Sequence, residues 1–589
     1  MFAKRLLLAM VAALSAAALA AQTPVPQPQA TKPAPKPVED PRFAWQETPD
    51  HPRPKVDSPE PQYLYSETPE QRKSRIGTAE DPGANPDPNK HFWRFGKSYH
   101  IEKFDRRWEA WDSDPGWVRP IAFAAVSREV YQLNDKWLWV WTLDPTEAPP
   151  EPPSTQYSNE ALAYLRDMRS EFSDLNLQPS TKAIRFQESS EGLPTSGSWR
   201  NSPAVADMNG DGCPDIIAPS ERKGNEVPAI FLGDCKGHWR YWSEAQWPRG
   251  VDYGNVVAAD FNRDGHMDLA FGVHLQGIFV MLGDGKGKFT EVTEGLPRDF
   301  ATRRIAIADV DHDGYPDIVA LSEGPTVARA IAHQKGKLRV YYNRKKGTQW
   351  EEADIAGDDS KTAGDWLTIA NLTGDGHHDM IAATIYQNSN QIVFVTDGSR
   401  KWKAITDPKV VPYLSSYNAN AAGKFSSKKV DDAIVAYVRY WPVDLPSDVM
   451  PEPPSKTVVG IDRISFSGKV PKRTPIARWS GLRGITGLAV ADFDGDGNDD
   501  IIYTRYDPRE AVVLLGDGKG GFTRATVSGL KLEPNTNYDI KVADVNGDGR
   551  PDVIVMYESA ASTVLAARDG SIQVFLNRGA APAAMEATK

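Results

Sequence analysis

Five short segments of the chain carry oxygen-bearing side chains at alternate positions, in the pattern D-x-[DN]-x-D-G-x-x-D. Side-chain oxygens at positions 1, 3, 5 and 9, with a main-chain carbonyl at position 7, suit a hard cation that binds about six to eight oxygen atoms. Carboxylates held this close repel one another unless a cation lies between them. The pattern therefore predicts about five Ca²⁺ sites. In the order of these positions, the predicted ligands are Asp207, Asn209, Asp211, Cys213 and Asp215; Asp260, Asn262, Asp264, His266 and Asp268; Asp309, Asp311, Asp313, Tyr315 and Asp317; Asp492, Asp494, Asp496, Asn498 and Asp500; and Asp544, Asn546, Asp548, Arg550 and Asp552.

The residue types at the ligand positions favour calcium over other metals. Mg²⁺ requires tighter octahedral geometry and keeps several waters. No His or Cys side chain stands at positions 1, 3, 5 or 9, which argues against zinc. The bidentate Glu of an EF-hand is absent, and the flanking residues indicate strands rather than helices. The remaining alternative is a metal-free Asp/Gly turn, which five copies disfavour.

Two further copies of the pattern have lost acidic residues. One carries Asn371, Thr373, Asp375 and Asp379, so it has two carboxylates, and the sequence leaves its metal binding open. The other begins at Gly423 and keeps only the apolar frame, so it is predicted to bind no metal.

The seven copies recur at intervals of about 50 residues. Each unit contains four short apolar segments separated by turns, which is typical of a β-propeller blade. The last unit lacks its fourth strand, and residues 184–189 before the first unit resemble a fourth strand. Pairing of these two segments would leave no open sheet edge, which favours a closed propeller over a solenoid. The predicted fold is all-β, with a seven-bladed β-propeller over residues 184–579.

The Asp loops and their flanking strands resemble FG-GAP or VCBS repeats, which occur in the integrin α-subunit propeller and in many secreted bacterial proteins. The resemblance covers about residues 184–579. It implies calcium loops on one face of the propeller and ligands on the other. Such propellers include adhesion modules, lectins and a few lyases, so the resemblance does not fix a function.

The segments outside the repeats suggest export and a small additional module. Residues 1–20 have a basic start, an apolar stretch and small residues before a cleavage point, as in a signal peptide. The Pro-rich residues 21–88 are predicted to be a disordered linker, and residues 580–589 a disordered tail. Residues 89–178 contain seven tryptophans, a predicted hairpin over 121–143 and a helix from about Ser158, which indicates an α+β module. Its tryptophans could stack on sugars or pack against a neighbouring domain.

The charge balance and the cysteines bear on partners and location. The net charge is -11, with 79 acidic and 68 basic residues, which argues against a nucleic-acid partner. No later segment is apolar and long enough to span a membrane. Cys213 and Cys235 are predicted to form a disulfide, although two free thiols are the alternative. A secreted or periplasmic location follows from these features; the oligomeric state is left open.

We expect a binding or adhesion scaffold that meets a protein or glycan on the face without metals. The long connections at 322–337, 439–456 and 557–571 support this, with Arg329, Arg439, Tyr440 and Trp441 as predicted contacts. An extracellular calcium-dependent lyase is the second hypothesis, with His333 as a candidate base. A third hypothesis is an envelope assembly component that docks through the Trp-rich module.

Overall fold

The computed structural model describes the backbone of five strands within residues 62–143 and then residues 159–583. The gaps within the second range are 223–226, 275, 299, 324–337, 357–361, 385–389, 443–449, 469, 482, 507, 534–535 and 559–569. The predicted signal peptide, most of the predicted linker, Arg329 and His333 lie outside the described residues. The chain divides into two compact units, residues 1–154 and 155–589, and each is described by itself.

The first unit contains a five-stranded antiparallel sheet. The strands, in their order across the sheet, are Gln62–Tyr63, Ala125–Leu133, Lys136–Leu143, Arg107–Asp112 and Tyr99–Phe104. The predicted hairpin is present, because Leu133 pairs with Lys136 across the turn. The two-residue strand that pairs with 131–132 belongs to the segment predicted as a linker. The tryptophan side chains of this unit lie outside the described residues.

The second unit consists of four-stranded antiparallel meanders. Five form separate sheets, and two more are joined in one eight-stranded sheet. We call these meanders blades 1 to 7. Their strands are, in order, Ala204–Ala206, Asp215–Ala218, Ala229–Gly233 and Trp239–Tyr241; Gly254–Ala259, Asp268–Val273, Gly277–Gly283 and Phe289–Glu291; Thr302–Ala308, Asp317–Ser322, Leu338–Arg344 and Gln349–Asp354; Leu367–Ala370, Asp379–Ala382, Val393–Thr396 and Trp402–Ala404; Ser415–Gly423, Asp432–Tyr440, Thr457–Ser465 and Lys472–Ser480; Gly487–Ala491, Asp500–Tyr506, Arg509–Gly516 and Phe522–Ser528; and Thr536–Ala543, Asp552–Glu558, Ile572–Pro582 and Pro179–Glu188.

Blade 7 is completed by the strand that precedes blade 1. Glu188 pairs with Phe575 and Phe186 with Asn577, antiparallel, so Pro179–Glu188 is the outer strand of this blade, as the sequence predicts. The same strand pairs in parallel with the outer strand of blade 6, which joins the two blades into one sheet. The last strand continues to Pro582, three residues beyond the boundary predicted at 579.

The apolar core lies between neighbouring blades, where the faces of adjacent sheets meet. The second strands are almost wholly buried, which explains their runs of Ile, Val, Leu and Ala. Ile216 and Phe231 of blade 1 pack with Ile554 and Val574 of blade 7, so the first and last blades share a core. The first strands of blades 1 to 7 contact one another in succession, and the shared core joins blade 7 to blade 1. The predicted β-propeller is therefore confirmed.

One helix packs against the side of blade 5. Helix α1, Asn159–Met168, continues into a 3₁₀ turn at Arg169–Glu171. Its apolar face ends in Phe172, whose ring lies edge-on to Trp441 with the centroids 5.1 Å apart. The sequence assigns this helix to the Trp-rich module, whereas the structure packs it against the propeller.

The prediction that Arg439 and Trp441 are exposed ligand contacts is wrong. Arg439 is 0% exposed and Trp441 is 2% exposed. Arg439 Nη1 lies 2.5 Å from Glu171 Oε2 and its Nη2 lies 3.8 Å from Asp462 Oδ2, so the 3₁₀ turn after helix α1 and the third strand of blade 5 supply the counter-charges that the guanidinium needs inside the protein. Tyr440 is partly buried beside them.

Candidate metal centres

The aspartate at position 9 of each loop fastens the loop to its blade. In blade 6, Asp500 is fully buried and accepts main-chain hydrogen bonds of 2.8 Å from Phe493 and 2.8 Å from Gly516. These donors belong to position 2 of the loop and to the end of the third strand. Asp215, Asp268, Asp317, Asp379 and Asp552 make the same pair of contacts.

Burial among other acids raises the pKa values of these carboxyls. Burial is the largest cause, and it raises the pKa to about 7 at Asp268, Asp317 and Asp500. The pKa is raised to about 6 at Asp215 and Asp552. Neighbouring loop aspartates add to the shift, since each negative charge disfavours another. A bound cation would supply the opposite charge that favours the ionised form.

The aspartate at position 1 shapes the turn itself. Asp492 Oδ1 accepts from the amides of Gly495 at 2.8 Å and Asp496 at 3.1 Å, and its Oδ2 accepts from Gly497 at 2.8 Å. The backbone can turn back in this way because Gly497 has a φ of 81°, which disfavours residues with a Cβ. The loops of blades 1 and 7 repeat this pattern at Asp207 and Asp544.

Among the described residues, two loops bring three carboxylates together. In blade 3 these are Asp309, Asp311 and Asp317, and in blade 6 they are Asp492, Asp494 and Asp500, with ligand atoms within 4.8 Å of one another. Asp309 Oδ1 and Asp311 Oδ1 are buried and make no hydrogen bond. Buried acceptors without a partner are costly, and an ion ligated by them would remove that cost. The residues of these two loops therefore fit a divalent cation.

Basic side chains approach the same two loops. Arg344 Nη2 lies 2.9 Å and Arg400 Nη2 lies 2.6 Å from Asp311 Oδ2. In blade 6, Lys182 Nζ lies 2.5 Å from Asp494 Oδ2. These basic residues could not be assigned to the loops from sequence, because each comes from a strand or turn remote in sequence from the loop it contacts.

The loops of blades 1, 2 and 7 have an asparagine at position 3. Its amide nitrogen donates to the carboxylate at position 5: 2.9 Å from Asn209 to Asp211, 2.9 Å from Asn262 to Asp264, and 3.3 Å from Asn546 to Asp548. At position 7 of all five loops, the amide donates to the carboxylate at position 5. These position-7 residues are Cys213, His266, Tyr315, Asn498 and Arg550. The side chain of Arg550 also pairs with Asp548 at 3.3 Å.

The loops of blades 4 and 5 differ from the other five. In blade 4, Thr373 Oγ1 donates to Asp379 Oδ2 at 3.2 Å, so a hydroxyl takes the place of a carboxylate. In blade 5, Arg463 Nη1 lies 3.0 Å from Asp432 Oδ2. A fixed guanidinium thus neutralises the buried acid that begins the second strand of this blade.

The predicted disulfide is present. Cys213 and Cys235 are bonded, and their Cα atoms are 5.1 Å apart. The bond joins position 7 of the blade 1 loop to the turn between the third and fourth strands. It therefore closes the metal-loop edge of blade 1 covalently.

Two asparagines that the sequence analysis missed connect neighbouring loops. Asn343 Nδ2 donates to the carbonyl of Phe261 in the blade 2 loop at 2.8 Å. Asn577 Nδ2 donates to the carbonyl of Phe493 in the blade 6 loop at 3.0 Å. The sequence does contain a clue to these two residues. Asn stands near the end of the third strand in YYNR and FLNR, whereas the equivalent residue is glycine in blades 1, 2 and 6, at Gly233, Gly283 and Gly516.

The comparisons with known proteins agree with this repeat architecture. A family model described as FG-GAP-like repeat matches residues 273–320 and 492–555. Integrin alpha-7 from Homo sapiens is 29% identical over 159 residues, which are 23% of this chain and 14% of the integrin. Integrin alpha-6 from Homo sapiens is 30% identical over 144 residues, which are 22% of this chain and 13% of the integrin. The matched part thus spans less than a sixth of either integrin chain.

Similar folds among solved structures are more distant. The structure of BBS1N in complex with ARL6DN matches with a TM-score of 0.39 and 9% sequence identity. The match covers 68% of this chain and 97% of the BBS1N chain. The V. cholerae biofilm matrix protein Bap1 matches with a TM-score of 0.34 and 13% sequence identity. The match covers 69% of this chain and 92% of the Bap1 chain. Within the described residues, no helix has the length and apolar character of a membrane span. The motif matches in blades 2, 3, 6 and 7, set in four-stranded blades, show that the chain contains FG-GAP-like repeats and resembles the integrin α-subunit propeller.

Proposed function

We propose that the chain is an exported, calcium-binding β-propeller that acts as a binding or adhesion scaffold. The proposal rests on the two edges of each blade, which carry different connections between the strands. Every Asp loop joins a first to a second strand, so the second-to-third connections leave from the opposite edge. Calcium would stiffen one edge, and the long connections at the other edge would meet a protein or glycan ligand.

Described side chains at the edge opposite the metals include residue types common in binding sites. Tyr253 stacks on His274 with ring centroids 4.7 Å apart, and Arg222 lies 5.3 Å from the Tyr253 ring. These residues come from blades 1 and 2, where the chain enters a first strand or leaves a second. Tyr253 is 7% exposed and Arg222 pairs with the buried Glu558, so this cluster braces the connections at that edge and leaves ligand contact to the connections themselves.

The same constellation leaves the lyase as the second candidate function. Burial raises the pKa of Tyr253, an effect that outweighs the nearby arginines. His274 Nδ1 lies 2.9 Å from Glu323 Oε1, a contact that orients the ring and does not block Nε2. A histidine, a tyrosine and arginines in one place could also serve acid–base chemistry, so the assay for turnover of an acidic polysaccharide separates the two functions.

The test compares the two edges of the propeller. The calcium-loaded chain is applied to a glycan array and a protein array, and any binder is measured again with variants. Replacing residues 324–337, 443–449 or 559–569 by short Gly-Ser linkers should abolish binding. The control substitutions Lys286→Ser and Lys519→Ser, in turns on the metal edge, should preserve it.

Loss of binding in the control variants alone would contradict the proposal, as would a chain that binds nothing on either array. Release of unsaturated uronate from an acidic polysaccharide would support the lyase instead. For the assembly hypothesis, the informative deletion is residues 21–154, because it leaves helix α1 on blade 5.

A further inference from the structure

Two guanidinium groups hold one oxygen of a predicted calcium ligand in blade 3. Arg344 Nη2 and Arg400 Nη2 lie 2.9 Å and 2.6 Å from Asp311 Oδ2. The other oxygen, Asp311 Oδ1, is buried and makes no hydrogen bond. Asp311 also contributes one oxygen to the cluster with Asp309 and Asp317, whose ligand atoms lie within 4.8 Å of one another. The carboxylate thus has one oxygen held by the guanidinium groups and one oxygen left for a cation.

The guanidinium groups are themselves fixed by packing on one aromatic ring. The Cζ atoms of Arg344 and Arg400 lie 5.2 Å and 4.4 Å from the centroid of the Tyr342 ring, a distance at which cation–π attraction acts. Tyr342 is buried on the third strand of blade 3. Arg344 also contacts Asp313 of the loop at 3.2 Å. The donors that hold Asp311 are therefore in place without any contribution from an ion.

Arg400 belongs to blade 4 and crosses to the loop of blade 3. It lies in the turn between the third and fourth strands of blade 4. The equivalent residue is glycine in blades 1, 2 and 6, at Gly237, Gly287 and Gly520. Arg400 has a φ of 60°, in the left-handed region that a Cβ disfavours. The chain thus keeps a side chain where glycine would cost less, and that side chain contacts a neighbouring metal loop.

A basic partner accompanies the fourth carboxylate in both loops that have one. Among the five predicted calcium loops, those of blades 3 and 6 have aspartate at position 3, at Asp311 and Asp494. In blade 6, Lys182 Nζ lies 2.5 Å from Asp494 Oδ2. The other three loops have asparagine at position 3, which donates from its own amide to the carboxylate at position 5. The side chain at position 3 is therefore held in all five loops, by a cation where it is an acid.

The positive charges at blade 3 leave the site attractive to a cation. Glu351 Oε2 lies 3.0 Å from Arg344 Nε, and Glu351 Oε1 lies 3.9 Å from Arg400 Nη1. The four loop aspartates, two guanidinium groups and one glutamate have a formal net charge of three negative, equal to that of the three aspartates in the loops of blades 1 and 2. Arg400 is also half exposed, so solvent screens its repulsion of an ion. Orientation of Asp311 is then the larger effect.

We propose that Arg344 and Arg400 are positioning residues that fix the Asp311 carboxylate for the ion, so that blade 4 completes the calcium site of blade 3. The proposal rests on the calcium binding proposed above. Loss of an outer partner of a metal ligand typically weakens metal affinity by about 10–100-fold. Blade 4, whose own loop has two carboxylates, thereby contributes to the site of its neighbour.

The test measures the calcium retained by the full chain at a series of buffered free calcium concentrations, by elemental analysis. Arg400→Leu should require about tenfold more free calcium to fill one site. Arg400→Lys should lose less, because it keeps a charged donor for Asp311 Oδ2. In an Asp313→Asn background, Arg400→Leu should have no further effect, which assigns the loss to blade 3.

The matched control is Arg263→Leu, which should retain calcium as the parent chain does. Arg263 also has a φ of 60° and also reaches the blade 3 loop from a neighbouring blade. Its guanidinium group lies over the Tyr315 ring, 4.7 Å from the centroid, and among the described contacts it meets no carboxylate. The two variants therefore differ in whether an arginine that holds Asp311 is removed.

Each outcome decides the proposal. A weaker site in Arg400→Leu, with partial recovery in Arg400→Lys and none of the loss in Arg263→Leu, supports it. An unchanged or tighter site in Arg400→Leu overturns it and leaves calcium binding in place, as does equal loss in Arg400→Lys or in Arg263→Leu. A parent chain that retains no calcium overturns the proposed function and this inference together. Melting curves at saturating calcium confirm that every variant is folded.

Discussion

Asn343 joins the carboxylate of Asp317 in its own blade to the Asp loop of the preceding blade. Its main-chain N–H donates to Asp317 Oδ1 at 2.7 Å, and its side chain donates to the Phe261 carbonyl at 2.8 Å. Asn577 repeats the arrangement with Asp552 in blade 7 and Phe493 in blade 6. Adjacent metal loops at these two places are therefore connected through one side chain.

Asn343→Gly should destabilise the propeller by about 2–3 kcal/mol, because buried main-chain groups lose their partners. Besides Phe261, the Asn343 side chain accepts from the Gly347 amide at 2.5 Å. The main-chain contact to Asp317 would persist, as it does at Gly283 in blade 2. Chemical denaturation measures the loss. The control is Gln349→Ala, at a partly buried position on the next strand, which should change the free energy of unfolding by less than about 0.5 kcal/mol. An equal loss of stability in both variants would refute the role of Asn343.

Adding calcium to protein that has been stripped of metal with a chelator should raise its melting temperature. The Asp313→Asn variant should show a smaller increase. Each occupied site contributes about 2.7 kcal/mol when calcium is at 100 times its Kd. Asp375→Asn in blade 4 is the matched control, since Asp313 and Asp375 each accept an amide hydrogen bond of 2.9 Å from position 7. Elemental analysis should show one calcium fewer in Asp313→Asn only. An unchanged melting temperature on chelation would remove the basis of the proposed function.

The attachment of helix α1 should weaken in acid. Burial alone would raise the pKa of Glu171, but the hydrogen bond from Arg473 and the charges of Arg439 and Arg473 outweigh it and lower the pKa. The stabilisation is therefore complete above the ordinary glutamate pKa of about 4.3 and is lost as the pH falls through the lowered value.

Glu171→Gln should cost about 2 kcal/mol near neutral pH, because Arg439 and Arg473 lose an ionised hydrogen-bond partner while Asp462 stays beside both. The difference from the parent chain should shrink below pH ~4, where Glu171 itself becomes protonated. Glu452→Gln is the control: Glu452 pairs with Lys456 at 2.7 Å, but both side chains are about half exposed. A Glu171→Gln variant with the stability and pH profile of this control would show that the ion pair does not hold the helix.

Loss of the disulfide should destabilise the chain by about 3 kcal/mol, from the entropy of a loop closed by residues 22 apart. The double variant Cys213→Ser/Cys235→Ser should also bind calcium more weakly in blade 1, because position 7 is no longer tied to the neighbouring turn. Reductant should lower the stability of the parent chain and leave the double variant unchanged. Sensitivity of the double variant to reductant would point to a different cause.

The repeat made most of the fold predictable from sequence. Position 9 of the motif begins the second strand in every blade with an Asp loop, at Asp215, Asp268, Asp317, Asp379, Asp500 and Asp552. A motif that fixes strand starts also fixes the register, so the meanders and the closing strand could be inferred. The acidic residues of the loops could be inferred for the same reason, because their spacing is local.

Contacts between distant segments could not be inferred in this way. From sequence, Arg439 is a charged residue after a long apolar run, which is typical of the start of a loop. In the structure it is buried beside Glu171, which lies 268 positions away in the sequence. Lys182 reaches Asp494 across 312 positions, and Arg400 reaches Asp311 across 89. Local patterns contain no information on such pairs, since the fold alone decides which charges meet.

Ring closure by Pro179–Glu188 sets an order of events during biosynthesis. This strand emerges early, yet its partner Ile572–Pro582 is made roughly four hundred residues later, as the Glu188–Gln573 contact across 385 positions shows. Until then its hydrogen-bonding edge has no antiparallel partner, and exposed strand edges are sites of unwanted association. A chain rearranged to begin at blade 1 and to carry this strand after residue 583 would complete blade 7 as soon as blade 7 is synthesised, and should aggregate less during synthesis.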